Sequence, residues 1–238
     1  MNPKFLALSL LTSLRLSFAQ AASSDPLWNQ AVQAAAASRN WMPGEVRTFE
    51  QELNRKGDVK NSQETLTSIS QAPDGKIQMK HWRIEKGRRT PFVPEDEEEG
   101  SGDSPVSFGP LDPESQSLVQ VKRLPEFSLV NGLFCIQYQY TLKTTNTPSQ
   151  TLRGIVCINE SNGIPLELTM VPDPLPDDVK SLNMTLTFTS PDEQTIRPLQ
   201  MTTDISASAL LLTQQYRVIQ EFSAFWIRPE EKYLTQNE

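Results

Sequence analysis

Two cysteines are the residues of this chain with the clearest chemical potential. Cys135 and Cys157 are the only thiols among 238 residues, and each lies within a run of strand-forming residues. In an oxidising compartment, two such thiols form a disulfide. A redox-active pair is the alternative, but such pairs usually have the close spacing C-x-x-C. The sequence therefore predicts a structural disulfide between Cys135 and Cys157.

A disulfide would also fix the register of the hairpin that contains it. If the two cysteines lie directly opposite each other on antiparallel strands, apolar residues meet apolar ones and an aromatic ring covers a glycine. This register centres the turn on Asn146. It predicts these facing pairs: Phe134 with Ile158, Ile136 with Val156, Tyr138 with Gly154 and Tyr140 with Leu152.

The single histidine is the next candidate for chemistry. His81 lies beside Trp82 in a predicted strand, and no H-E-x-x-H, G-x-S-x-G or phosphate-binding glycine loop occurs in the chain. With both thiols oxidised, His81 also lacks partners for a metal site. A pair of carboxylates distant in sequence remains open as a glycosidase-type alternative, since the chain has 29 acidic residues. We predict a protein that is not an enzyme and that needs no metal or cofactor.

A run of five acidic residues, 95–99, lies in a segment rich in Pro, Gly and Ser. Calcium binding is one reading of such carboxylates. The run lacks the alternating ligand positions, central Gly and closing Glu of a calcium loop, however. We therefore predict a mobile acidic loop over residues 94–113.

The beginning of the chain has the pattern of a signal peptide. Lys4 precedes an apolar stretch that is shorter than the roughly 20 residues of a membrane span, and small residues follow. We expect residues 1–21 to be removed and residues 22–238 to form one domain, periplasmic or secreted. Removal of Lys4 and Arg15 would change the formal charge from -7 to -9. Nucleic-acid binding depends on basic residues, so nucleic acid is not an expected partner.

The remaining pattern indicates one helix followed by many strands. Asp25-Pro26 is a typical helix start before an alanine-rich segment that ends near Ser38. Strand-like runs follow at 45–54, 63–71 and 76–84, and from Phe134 onward apolar and polar residues alternate with period two. A sheet with many strands and little helix has to curl on itself. The predicted fold is mainly β, a strongly curved antiparallel sheet forming an incomplete or half β-barrel, closed by the N-terminal helix.

The alternating strands carry more apolar surface than one helix can cover. Part of the concave side could then be a cavity for an apolar ligand, whereas a fully packed core is the default. The predicted apolar lining consists of Phe134, Ile136, Tyr138, Val156, Leu186 and Phe188.

The segment from Gly154 to Leu166, GIVCINESNGIPL, resembles the strand, turn, strand unit of the periplasmic carrier and sorting proteins of outer-membrane lipoproteins, the Lol-type superfamily. The resemblance implies a half-barrel with helices on its concave side and a site for lipoprotein acyl chains. The Arg-Pro-bearing early strand of the dedicated carriers has no counterpart here, and the acidic insertion is foreign to them. The expected function is a periplasmic carrier for a lipidated or other apolar ligand. The alternative is a periplasmic interaction or regulatory module with a packed core, whose partner could be a membrane-associated protein.

Overall fold

The computed structural model describes residues 25–72, 75–94, 108–144, 150–209 and 212–228. It contains one α-helix, two short 3-10 helices and thirteen strands within these ranges. The helix is α1 (Pro26–Ala37), and the 3-10 helices are Gly109–Leu111 and Pro113–Leu118. The strands are β1 (Trp41–Met42), β2 (Glu45–Leu53), β3 (Val59–Gln71), β4 (Ile77–Glu85), β5 (Arg88–Phe92), β6 (Val119–Val130), β7 (Leu133–Lys143), β8 (Thr151–Asn159), β9 (Pro165–Asp173), β10 (Val179–Thr189), β11 (Arg197–Ala209), β12 (Leu212–Ser223) and β13 (Trp226–Ile227).

Eleven of the strands form a single antiparallel sheet in the order β5-β4-β3-β2-β12-β11-β10-β9-β8-β7-β6. β2 pairs with β12, so the first and last parts of the chain meet in the middle of the sheet. β5 and β6 are the two edges and do not pair with each other, so the sheet stays an open, curved half-barrel. The predicted fold class is confirmed.

Helix α1 begins where the sequence predicted. Asp25 is the N-cap, and its side chain accepts a hydrogen bond of 2.9 Å from the backbone N–H of Leu27. Pro26 occupies the first turn, where its missing N–H costs no hydrogen bond. Trp28, Ala31 and Ala35 are buried against the sheet. We call the sheet face that carries α1 the inner face and the opposite one the outer face.

The predicted disulfide between Cys135 and Cys157 is present, with Cα atoms 5.4 Å apart. The predicted register, however, is wrong by two residues. Cys135 faces Asn159 and Cys157 faces Gln137, so the bond joins a diagonal pair, which lies within disulfide reach in a twisted sheet. The observed facing pairs are Ile136 with Ile158, Tyr138 with Val156, Tyr140 with Gly154 and Leu142 with Leu152.

A shift of two residues leaves every side chain on its predicted face, because side chains alternate with period two. The even-numbered residues of β7 from Ile136 to Leu142 are therefore buried, as expected. The predicted turn at Asn146 lies outside the described residues. So do the predicted signal peptide, residues 1–21, and the acidic run.

The last residues of the predicted acidic loop, residues 94–113, are part of the folded core and not of a loop. Residues 95–107 lie outside the described part of the chain. Residues 109–111 form a 3-10 helix, and Phe108, Pro110 and Leu111 are buried. The last part of the predicted loop thus contributes apolar side chains to the core, which a reading based on its acidic and Pro-rich composition did not detect.

Within the described ranges, no helix combines the length and the apolar character that a membrane crossing requires.

Candidate functional site

Most of the predicted apolar lining is buried in the core. We call its five buried residues the packed floor: Ile136, Tyr138, Val156, Leu186 and Phe188. Tyr138 and Val156 are fully buried on the inner face, and Ile136, Leu186 and Phe188 are nearly so. Their partners on neighbouring strands are also apolar: Tyr138 faces Val156, and Leu186 faces Leu168. Five of the six predicted residues therefore share one apolar cluster.

Phe134 does not join this cluster, because 64% of its surface is exposed. It lies only two residues before Ile136 on β7 and has the same parity. The β6–β7 hairpin continues past the edge of the core at this point. The period-two pattern assigned the correct face to Phe134 but could not show where cover on that face ends.

Side chains from α1 and from the segment that begins the first 3-10 helix, including Phe108, cover the floor. The rings of Trp28 and Tyr138 lie 5.7 Å apart between centroids, and those of Phe108 and Phe188 lie 6.1 Å apart. Both pairs are tilted, a favourable arrangement for aromatic rings. Over this part of the inner face, the core is filled by the protein itself.

Polar contacts hold both ends of α1 on the sheet. At the N-terminal end, the Tyr138 hydroxyl donates a 2.9 Å hydrogen bond to Asp25, the same side chain that caps the helix. At the C-terminal end, Ser38 Oγ donates to the carbonyl of Ala34 at 2.6 Å and accepts from the backbone N–H of Ile196 at 2.7 Å. Hydrogen bonds thus hold α1 in place at both ends, in addition to its apolar contacts with the core.

Two buried tyrosines on β7 have perturbed acidity. Burial raises the pKa of the Tyr138 phenol, and its hydrogen bond to Asp25 raises it further. Burial likewise raises the pKa of Tyr140, whose hydroxyl donates a 2.9 Å hydrogen bond to the carbonyl of Thr169. Both phenols are donors in these bonds, so the fold requires their protonated forms.

Alkaline pH should therefore destabilise the protein. Above the ordinary tyrosine pKa of 10.0, the unfolded chain releases protons that folded Tyr138 and Tyr140 retain. Stability is thus fully present below that pH and should fall above it by up to about 2.7 kcal/mol per pH unit for the two groups together. Urea unfolding across this range measures the slope. The double variant Tyr138→Phe, Tyr140→Phe should have a distinctly flatter slope, and an unchanged slope would contradict the assignment.

Beyond the helix, the inner face remains apolar but is only partly covered. Helix α1 lies over β8 and the 3-10 helices, whereas the middle strands β10, β11 and β12 continue past it. Two rows cross these strands: Tyr216 faces Ile205, which faces Leu182, and Val218 faces Thr203, which faces Met184. We call the half-buried apolar residues of this region, together with the more exposed Tyr216, the apolar strip; it consists of Leu182, Met184, Met201, Ile205, Tyr216 and Val218.

The strip adjoins the packed floor directly, because Met201 faces Leu186 across β10 and β11. At its other side, polar residues of β2 follow, such as Glu52 opposite Tyr216. Period-two alternation places side chains of equal parity on one face of each strand. It did not distinguish them from the floor, since helix cover is a tertiary property.

The outer face has a groove of about 760 Å³, lined by residues of β2, β3, β10, β11 and β12 and of the β4–β5 and β6–β7 turns. An ion pair between Arg47 and Glu64 lies in it at 2.5 Å, next to the apolar side chains of Leu66 and Ile84. A strongly twisted sheet is saddle-shaped and can be hollow on either face. None of the six predicted lining residues borders this groove.

The only histidine of the sequence contacts side chains of the two neighbouring strands. His81 Nδ1 lies 3.0 Å from Thr67 Oγ1 on the neighbouring strand, and its ring packs against Phe92 with centroids 6.0 Å apart. Among the described residues, no three His, Cys, Asp or Glu side chains are grouped so that they could hold a metal ion.

Comparison with known proteins gives weak structural likenesses. No family model matches the chain, and neither does any curated protein sequence. An outer membrane lipoprotein-sorting protein domain from Vibrio parahaemolyticus is 12% identical, with 88% of this chain and 96% of that chain covered and a TM-score of 0.35. A DUF1329 family protein from Desulfovibrio piger is 12% identical, with 84% and 91% covered and a TM-score of 0.37.

The complex of MucA and MucB from Pseudomonas aeruginosa is a third likeness, at 9% identity, with 86% of this chain and 100% of that chain covered and a TM-score of 0.30. At these identities and TM-scores, the likenesses carry no argument about function.

Proposed function

We propose that this protein is a periplasmic or secreted binding protein that holds an apolar ligand, such as a lipid acyl chain, on the apolar strip of its inner face. The observation that carries the proposal is the partial exposure of this strip beside a fully packed floor. Apolar surface that the fold itself leaves uncovered gains free energy when a ligand covers it.

The hydrogen bonds that hold α1 on the sheet determine which part of the inner face is available to a ligand. Asp25 and Ser38 hold the two helix ends through buried or half-buried hydrogen bonds. Access to Tyr138 or Val156 would require these bonds to break. A ligand on the strip leaves them intact and contacts Met184 and Met201, which pack against the floor.

The strip suits an extended, flexible apolar chain. Its two rows run across three strands, and neighbouring strands lie about 4.8 Å apart. Met184 and Met201 lie within it, and methionine side chains adapt to ligands of irregular shape. The charged side chains that face the strip from β2 are acidic, Glu50 opposite Val218 and Glu52 opposite Tyr216, which favours an acyl chain over an anionic headgroup at this position.

A packed interaction module is the second candidate, supported by the burial of five of the six predicted lining residues. In that case the strip would be covered by a protein partner, and the protein would take up no free lipid. The two candidates differ in one direct observation, the uptake of a fatty acid by the protein alone.

Titration with a fluorescent fatty acid tests the proposal. The starting protein should bind it, and the double variant Met184→Gln, Ile205→Gln should bind it roughly tenfold more weakly, the equivalent of about 1.4 kcal/mol. The matched control is Val171→Gln, which makes a comparable change on the outer face of neighbouring β9 and should alter affinity less than about twofold. Absence of uptake by the starting protein would reject the carrier and leave the interaction module.

A further inference from the structure

The tip of the β6–β7 hairpin concentrates exposed apolar side chains. Phe127, Leu129, Leu133 and Phe134 are 61%, 61%, 47% and 64% exposed. They lie within eight residues of one another, around the tight turn at Asn131 and Gly132. Both turn residues have positive φ, as a two-residue type I′ hairpin turn requires. We call these four side chains the hairpin tip.

This concentration differs from the scattered exposure of the rest of the chain. Other large exposed apolar residues, such as Val59, Val93 and Ile227, lie on separate elements. Phe127, Leu129 and Phe134 share one face of the hairpin, because Leu129 faces Phe134 and Phe127 faces Ile136, whereas Leu133 lies on the other face. Single exposed apolar residues are normal on protein surfaces, whereas a group such as these three marks a site of interaction. The hairpin tip connects β7 to β6, which is an edge strand of the sheet.

A basic turn lies at the outer-face groove, which the turn of the hairpin tip also borders. Asn131 of the tip's turn borders the same groove as Gly87 and Arg89 of the β4–β5 turn. Lys86, Arg88 and Arg89 are exposed in that turn. Within the described part of the chain, no ion pair engages Arg88 or Arg89.

The local charge is opposite to that of the whole protein. Residues 83–89 contain four basic side chains and one acidic side chain, a net charge of +3, although the chain as a whole has a formal charge of -7. Positive charge is thus gathered in the β4–β5 turn, at the groove that the turn of the hairpin tip also borders. This pairing of apolar and cationic groups is complementary to a bilayer whose surface is anionic.

We propose that the hairpin tip and the basic turn form a membrane-docking surface, in which the tip enters an anionic phospholipid bilayer and Arg88 and Arg89 contact the headgroups. A convex tip with two phenylalanines inserts into acyl chains without needing a preformed pocket, whereas a protein partner would have to provide a matching groove. The inference does not depend on ligand binding to the apolar strip.

Vesicle co-sedimentation tests the proposal with the full protein. Binding should be several-fold stronger to vesicles with about a quarter phosphatidylglycerol than to pure phosphatidylcholine, because anionic lipid attracts the basic turn. It should weaken when the salt concentration is raised from about 0.05 M to about 0.5 M. Equal binding to the two vesicle types, or none to either, would overturn the proposal.

Matched variants separate the two parts of the surface. The double variant Phe127→Ser, Phe134→Ser should bind anionic vesicles at least about tenfold more weakly, since two exposed rings lose their apolar insertion. The control Val59→Ser, at an exposed apolar residue on β3, should bind normally.

The basic turn is tested separately. Arg88→Gln with Arg89→Gln should reduce binding to anionic vesicles only, whereas Lys143→Gln, an exposed cation elsewhere, should not reduce it.

Two further measurements give results that can overturn the inference. Unchanged vesicle binding by the Phe127→Ser, Phe134→Ser variant would show that the tip is not the docking surface. Sedimentation velocity that finds a dimer of the starting protein, abolished by the same variant, would assign the tip to a second copy of the chain instead. Fatty-acid titration without vesicles reports separately on the apolar strip, so failure of one proposal is distinguishable from failure of the other.

Discussion

Replacement of Gly154 by alanine should destabilise the protein by about 3 kcal/mol or more, at the upper end of the range for overpacked sites. A Cβ atom on Gly154 would lie 1.8 Å from the backbone carbonyl oxygen of Thr169 and 3.0 Å from the ring of Tyr140. The first clash is with backbone of the neighbouring strand β9, so rotation of a side chain cannot relieve it. Urea unfolding followed by circular dichroism measures the loss, and failure of the variant to fold would be the extreme of the same effect.

The control for Gly154→Ala is Gly132→Ala in the β6–β7 turn. Gly132 has a positive φ of 79° but open space around the position of a Cβ atom. Backbone strain alone should therefore cost about 1 kcal/mol there. If Gly154→Ala costs no more than the control, then β8 and β9 do not approach as closely at Thr169 as the structure shows.

Gly154 also illustrates what the sequence could and could not predict. A ring over this glycine was expected, but the predicted ring was Tyr138 and the observed one is Tyr140. The expectation depended on directly opposed cysteines. A disulfide accepts a range of Cα separations, so the presence of Cys135 and Cys157 identifies the paired strands without fixing their register.

Local patterns predicted the elements well because they arise from local physics. The N-cap at Asp25 and proline at the first helical position specify a helix start. Period-two alternation assigned inner and outer faces correctly along β7, since a two-residue error in pairing does not change parity. The open half-barrel followed from the ratio of strands to helix.

The boundary of the candidate site could not be predicted in this way. Phe134 and Ile136 have the same parity on the same strand, yet one is 64% exposed and the other 3%. The difference depends on where the helix and the 3-10 segment around Leu111 end above the sheet. These covering contacts join residues far apart in the chain, and no local pattern encodes them.

The double role of Asp25 is a further example. Its place before Pro26 predicted the helix cap, but its hydrogen bond with Tyr138 joins residues 113 positions apart. A single carboxylate therefore both starts the helix and fastens it to the sheet. Because this hydrogen bond holds α1 on the sheet, we expect the proposed ligand to lie beside the helix rather than beneath it.

The variant Leu186→Asn should lose about 3 to 5 kcal/mol of stability. Leu186 is 1% exposed and lies between Leu168 and Met201 on the neighbouring strands. An amide at this position loses the apolar contacts of leucine and is buried among apolar neighbours that offer it no hydrogen-bond partner. Urea unfolding measures the loss, and titration with the fluorescent fatty acid on the same variant measures its effect on binding.

The matched control is Leu129→Asn, the same change at a 61% exposed position, which should alter stability by less than about 0.5 kcal/mol. The comparison also locates the ligand. If the apolar strip is the binding surface, Leu186→Asn should act mainly on stability, whereas Met184→Gln with Ile205→Gln should act mainly on affinity. A small loss of stability at Leu186 together with abolished uptake would instead show that Leu186 lines an open cavity, and that the ligand enters beneath α1 after its fastening at Asp25 opens.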